Sequence, residues 1–275
     1  MPLFLSTRNE NHLPEGKKHK KVDIQDVGLR FYTYYISMVR LMDACSEYNR
    51  KVLILDRPNP NGHYVDGPIL DMKYKSGVGG LPIPIVHGMT LGELALMVNG
   101  EGWLPSSRTC DVTVIPCKNY THQTMYRLPI PPSPNLPNMK AIYLYPSTCF
   151  FEATPVSLGR GTSLPFQVYG HPNMTGYNYS FTPRSVPGAK NPPQLNKLCH
   201  GVNLSNLSDE DIWKKGVNLT YIIDAYRNLN MGDHFFRPFF ELLIGTDYVR
   251  KMIEEGKNAD EIKARWKEDV EKFKV

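Results

Sequence analysis

Apolar positions along this chain form short continuous runs in the first half and take up helical spacing toward the end. Residues 52–55, Val-Leu-Ile-Leu, make one of the continuous runs, the pattern of a strand buried on both faces of a parallel sheet. The run stops at Asp56 and enters RPNPNG, where prolines fix φ and Asn and Gly allow tight turns, so a shaped polar loop is expected. In open α/β sheets ligands gather outside the carboxyl ends of the strands. The stretch 52–71, VLILDRPNPNGHYVDGPILD, is therefore where chemistry is sought first.

A second strand-to-loop edge lies upstream, where VDIQDVG at 22–28 ends in a carboxylate and a glycine. Residues 33–48 have helical spacing, with Ile36, Val39, Met42 and Leu41 expected inward, so the segment completes a strand-helix-strand unit. Residues 83–86 read as a further strand. Thr90 and Glu93 form a capping box opening a helix to about Val98, and 112–115 is the next strand. Prolines crowd residues 128–137 (LPIPPSPNLP) and mark a domain boundary. Beyond it come short strands such as 166–168 and four helices: one opened by a cap at Ser208 and Asp211, then 219–229, 246–255 and 258–273. The last is expected to dock through a narrow stripe containing Ile262 and Trp266. The fold class that follows is α/β: an incomplete Rossmann-like parallel sheet over 22–128 and a smaller C-terminal α+β domain over 129–275. Residues 1–21, without periodicity, read as an arm.

A length of 275 residues suits two ordinary domains, and 23 prolines with 41% hydrophobic residues indicate rigid connections in a globular chain. The net charge is +5, and Lys17, Lys18, Lys20 and Lys21 supply four of those charges. A basic balance this local is not the aromatic-interleaved stripe of a nucleic-acid binder, so no nucleic-acid partner is expected. The five cysteines lack CxxC spacing, which points to neither zinc nor a disulfide framework, although Cys110 and Cys117 are near enough in sequence to bridge in an oxidising compartment. No apolar run approaches the roughly 18 residues of a membrane span, and the first twenty residues show no export signal.

The carboxylates at the strand ends, Asp23, Asp26 and Asp56, would share one rim, as glycoside or phosphoryl hydrolysis requires; each could equally bind a loop amide or a neighbouring Arg. Glu93 has a complete structural role in the capping box. Glu101 lies between glycines beside Trp103, where an aromatic face would raise its pKa and suit a general acid, or it is a solvent-facing turn residue. His87 follows an apolar run and could touch substrate or be satisfied by backbone, and no second His stands at metal-ligand spacing. Gly77-Val78-Gly79-Gly80 precedes Leu-Pro-Ile-Pro rather than a helix, so a pyrophosphate would have no helix N-terminus to rest on and no cofactor is expected. Arg160, between glycines in SLGRGT, can project toward a carboxylate or brace a turn. Tyr32, Tyr34, Trp103, Tyr143, Tyr145 and Tyr169 offer sugar platforms or core.

Taken together, DIQDVGLRFYTY, LDRPNPNGHYVDGPILD, VHGMTLGELALMVNGEGWL, CDVTVIPCKNY, PSPNLPNMKAIYLYPS and SLGRGT resemble the NamZ-type exo-β-N-acetylmuramidases, bacterial glycosidases that remove terminal N-acetylmuramic acid from peptidoglycan fragments. The resemblance runs from about Asp23 to the end. It implies a Rossmann-like domain without dinucleotide, a smaller C-terminal domain, and a sugar held between them. It further implies that Arg160 or Arg30 holds the lactyl carboxylate and that Asn59, Asn61 and His87 bind hydroxyls and the acetamido group. Tyr32 and Asp66 would line the cleft and Asp56 or Asp26 would orient substrate or water; the family's leading acid candidate is the Glu of a Glu-His-Gly segment, and Glu101, on its own surroundings beside Trp103, is the acid/base candidate left in this chain. The implied partners are peptidoglycan fragments or muropeptides, and the implied location is periplasmic or secreted. Family members carry further strands and helices, with a Glu-His-Gly segment, ahead of the DIQDVG motif. That segment has no counterpart here, and the basic run stands where an apolar strand would lead into Asp23. A chain truncated at its N-terminus is therefore expected, with a non-catalytic muropeptide-binding fragment as the alternative reading.

Overall fold

Two sheets and eight α-helices make up the described part of the chain, residues 19–274 of a computed structural model. In the first half β1 (His19–Val22), α1 (Tyr34–Glu47), β2 (Lys51–Leu55), α2 (Leu91–Gly100) and β3 (Val112–Ile115) form a parallel sheet in the order β1-β2-β3 with helical crossovers. The register sets Val22 opposite Ile54 and Ile54 opposite Val114. Strand alternation turns Val22, Val52 and Ile54 to one face, where Tyr35, Met38, Val39, Met42 and Cys45 of α1 meet Leu91, Leu94, Ala95 and Val98 of α2 in one buried cluster. Ile36 and Leu41 lie only half-buried at its margin. The 3.6-residue period centres the inward stripe of α1 on Tyr35, Met38 and Met42 instead.

Two expectations change. Residues 19–21 belong to β1 rather than to an arm, because parallel pairing with residues 51–53 satisfies their backbone while an edge strand leaves lysine side chains near water. Residues 1–18 of that arm lie outside the described residues. The run 83–86 is not a strand: Pro82 and Pro84 remove two ladder donors, and only Val86 makes isolated bridges, to Leu29 and Asp66. Cys110 and Cys117 are not bridged; Cys110 is buried and the Cys117 thiol donates to the Asp56 carbonyl at 3.0 Å.

The second half opens with α3 (Met139–Thr148) and holds an antiparallel sheet, β4 (Val168–His171), β5 (Tyr179–Phe181) and β6 (Cys199–Asn203), in the order β4-β6-β5. Then follow α4 (Asp209–Lys215), α5 (Thr220–Leu229), α6 (Phe239–Ile244), α7 (Tyr248–Glu254) and α8 (Ala259–Phe273). Ser208 caps α4, and Asn258 with Glu261 forms a capping box on α8, whose Ile262, Trp266 and Val270 are buried. Sequence reading passes over α3 because nine of its ten residues are buried and no periodicity survives.

The larger core cluster joins the halves. Val27, Leu29, Phe31 and Tyr32 from the loop after β1, with Ile85 and Val86 from the segment before α2, pack with Ile142, Phe150, Phe166, Phe240 and Trp266. The carboxyl-side loops of the parallel sheet are thus the surface on which the second half is built.

Candidate active site

At the carboxyl edge of the sheet most carboxylates are already engaged. Asp56 follows β2 and accepts from the Arg57 amide at 3.0 Å, the Gly92 amide at 2.9 Å and the Thr90 hydroxyl at 2.6 Å, so it pins the first turn of α2 to the sheet. Gly92 is needed there, since a Cβ would lie 2.8 Å from the Asp56 carboxyl. Asp23 is ion-paired with Arg57 at 2.6 Å on the surface. Glu93 closes the capping box onto the Thr90 amide at 2.8 Å and meets His122 at 3.0 Å.

Asp26 is different. It lies in the loop after β1, 7% exposed; its Oδ1 accepts from the Gly28 amide at 2.7 Å, while its Oδ2 is buried with no hydrogen-bond partner among the described residues. Burial outweighs the amides of Gly28 and Val27 and raises its pKa to about 7. Around it the loops lock together. Asn61 donates to the Val27 carbonyl at 2.8 Å, Asn59 accepts from the Asn61 amide at 2.8 Å and donates to the Met89 carbonyl at 2.9 Å, and the His87 amide reaches the Gly28 carbonyl. Gly28 adopts φ of 74° hard against the Asn59 amide, a place that excludes any side chain. Two more buried polar atoms here lack partners, Asn61 Oδ1 and His87 Nε2. His87 Nδ1 accepts from the Met89 amide at 3.2 Å, and burial, helped by the Arg30 charge, lowers its pKa to about 3. The ring is neutral, with its proton on Nε2.

From this polar shell an aromatic track leads into the second half. Burial, its hydrogen bond with Tyr34 and the nearby Asp26 charge push the Tyr32 phenol upward. Its ring stands 4.7 Å from Tyr34 and 6.4 Å from Tyr145, Tyr145 meets Phe166 edge-on at 4.7 Å, and the Arg160 guanidinium lies 5.0 Å over the Phe166 ring. Arg160 Nη2 also pairs with Glu152 at 2.6 Å, both side chains about a quarter exposed. Asp26, Tyr32 and Arg160, distant in sequence, thereby lie along one row of buried rings. Glu152 carried no motif in the sequence; only its pairing with Arg160 brings it forward.

Other candidates fall elsewhere. Arg30 is fully buried, and its terminal nitrogens donate to four carbonyls: Pro68 at 2.7 Å, Ile83 at 2.9 Å, Leu243 at 3.0 Å and Ile244 at 2.7 Å. Desolvation lowers its pKa to about 10. It ties both halves together and has no terminal N–H facing a substrate carboxylate. Asp66 is likewise consumed, accepting from the Gly67 and Val217 amides, the Trp266 indole at 2.9 Å and Lys263 at 2.5 Å. It fastens α8 to the first half. Glu101 caps the far end of α2, exposed, about 15 Å along a ten-residue helix from Asp56. The adjacent Asn99 side chain bonds the Cys110 backbone ahead of β3, so Glu101 belongs to the opposite edge of the sheet from the polar shell. Among the described residues no group of three or more His, Cys, Asp or Glu side chains is placed to hold a metal ion, and no helix is long and apolar enough to cross a membrane.

The comparisons with known proteins agree along the whole described chain. Residues 18–140 match the N-terminal part of the exo-β-N-acetylmuramidase NamZ family and residues 143–275 its C-terminal part. A curated relative, the peptidoglycan β-N-acetylmuramidase NamZ of Bacillus subtilis strain 168, is 36% identical, the alignment taking in 99% of this chain and 70% of the relative. Among solved structures, a DUF1343 family protein of Bacteroides fragilis NCTC 9343 superposes with a TM-score of 0.92 at 91% identity, covering 92% of this chain and 72% of that one. A second protein of that family from the same organism superposes at 0.75 with 25% identity and the same coverage. The chain is a member of the exo-β-N-acetylmuramidase NamZ family of glycosidases, on an α/β fold.

Proposed function

We propose that this chain releases terminal β-linked N-acetylmuramic acid from peptidoglycan fragments, with Asp26 as the proton donor. The observation that carries the reading is the free, buried Oδ2 of Asp26, on a carboxyl that keeps its proton up to about pH 7. Hydrolysis breaks the bond between the anomeric carbon and the bridging oxygen. Asp26 gives its proton to that oxygen, the oxygen of a water adds to the anomeric carbon, and the water's proton restores the acid. Tyr32 and Tyr145 are buried rings that back this region, and Arg160, steadied by Glu152 and Phe166, offers its remaining N–H groups to the lactyl carboxylate. The unpartnered oxygen of Asn61 suits an N–H of the acetamido group or a hydroxyl. An export route to the envelope fits such a substrate, and cell fractionation tests it.

The test is turnover of a chromogenic β-N-acetylmuramide. Asp26→Asn is expected to abolish release while leaving the fold intact, and undiminished turnover would remove Asp26 from the mechanism.

One observation favours a second reading, a muropeptide-binding chain without catalysis. Two-carboxylate hydrolysis needs a partner for the acid, and the nearest strand-end candidates, Asp23 and Asp56, are bound to Arg57 and to the start of α2. Calorimetry with N-acetylmuramic acid beside the hydrolysis assay separates the two: binding with no release supports this second reading.

A further inference from the structure

Beyond His87 the molecule has a cleft that the proposed hydrolysis does not use. It has a volume of about 490 Å³ and lies between the loops at 62–65 and 87–89, the outer face of α2 and the end of α8. Met89, Met97 and Phe273 form apolar walls, and His87, His122 and Lys274 bring polar atoms to it. His87 is 2% exposed, and its Nε2, which carries the ring proton, has no partner among the described residues. A buried donor left unmet is destabilising, so a donor on a cleft wall marks a place where a ligand acceptor is missing.

The opposite side of the cleft is cationic. Both nitrogens of His122 face acceptors, the Gly62 carbonyl at 3.1 Å and Glu93 at 3.0 Å. Partial burial opposes its charging, but the Gly62 carbonyl and the Glu93 carboxylate prevail and hold its pKa above the ordinary imidazole range. Lys274 adds an amine whose partner, Glu271, lies on the solvent side with 60% of its side chain exposed. Two neutral imidazoles in the wall, His87 and His63, each with an unmet ring nitrogen, two cations each beside one carboxylate, and methionine surface between them fit a small molecule with a carbonyl, a short aliphatic body and a carboxylate. The volume is in the range of small-molecule sites, about 300–1,000 Å³.

We propose that this cleft binds a short acidic peptide, its carbonyl on His87 and its carboxylate on the free N–H groups of Lys274, with the His122 charge nearby. The choice of ligand rests on the reading that the substrate is a peptidoglycan fragment; the site itself rests on the cleft. Gly28 links the two places, its N–H donating to Asp26 and its carbonyl accepting from the His87 amide.

Calorimetry on the full chain with N-acetyl-alanyl-glutamate and with its diamide tests the proposal. The acid is expected to bind at least about tenfold more tightly than the diamide. Lys274→Glu and His122→Gln, both surface changes, should each weaken the acid several-fold, while Asp26→Asn leaves its affinity unchanged. His87→Gln, which keeps a donor, should retain binding where His87→Leu loses it. Equal affinity for acid and diamide, indifference to both surface variants, or no binding would each overturn the proposal. Turnover without peptide binding removes the cleft alone, and peptide binding without turnover removes the glycosidase reading alone.

Discussion

The loops around Asp26 and the contacts around Arg30 and Asp66 are both buried, polar and drawn from the same few segments, yet they are built to opposite standards. Both terminal nitrogens of Arg30 and both oxygens of Asp66 have partners, several of them across the joint between the halves (Leu243, Ile244, Val217, Lys263 and Trp266), and of these two side chains only Arg30 Nε is unmet among the described residues. Around Asp26, by contrast, Asp26 Oδ2, Asn61 Oδ1 and His87 Nε2 are buried and unmet. Terminal groups tied off across a joint identify a fastening; several unmet atoms gathered in one otherwise well-bonded shell identify a place prepared for something else.

The sharpest way to break this contrast is to exchange the expected phenotypes. Asp26→Asn should lower turnover by about 10²–10⁴-fold while thermal melting shows a fold at least as stable at neutral pH, because a neutral amide replaces an acid that resists ionisation. Arg30→Met should do the reverse. Each orphaned carbonyl costs about 1–3 kcal/mol, so denaturant unfolding should show a loss of at least about 3 kcal/mol, with turnover per folded molecule retained. Should Arg30→Met instead spare stability and remove activity, the assignment of the two regions is inverted.

The pH dependence sharpens it further. The Asp26 pKa is raised from 3.8 to about 7, so the folded state holds its proton more tightly; that stabilisation is complete below about pH 4 and is lost as pH rises through 7. The His87 pKa is lowered from 6.5 to about 3, so its contribution runs the other way, present above 6.5 and lost as pH falls toward 3. The slopes oppose each other between about pH 4 and 6.5. In Asp26→Asn, stability measured by denaturant should rise with pH across that window, and in His87→Gln it should fall.

Smaller effects follow at the periphery. Arg160→Lys keeps the charge but loses the planar stack on Phe166 and the fork, and should raise KM about tenfold with kcat less affected. Glu101→Gln should change neither turnover nor stability measurably, being exposed at the far end of α2.

Much of the fold was legible in the chain because local patterns decided it. The VLIL run, the Thr90 and Glu93 box, the Ser208 cap and the stripe of Ile262 and Trp266 produce β2, α2, α4 and α8 close to their expected bounds. Where tertiary packing overrides local pattern, reading failed: α3 is buried all round, and 83–86 is apolar for the sake of the joint between halves rather than for a sheet. The functional surface was legible only as a set of residue types. Asp26, Asn61, His87 and Arg160 stood beside Asp66, Arg30 and Glu101 with nothing in sequence to separate them.

The chain's own pattern thus set β2, α2, α4, α8, the parallel α/β first half and the membership in a glycosidase family, since periodicity, caps and long motifs are properties of neighbouring residues. Tertiary structure alone decided which polar side chains are spent and which are free. That depends on partners as far apart as Arg30 and Ile244 or Asp66 and Trp266, and on how much water each group loses when the two halves close on one another.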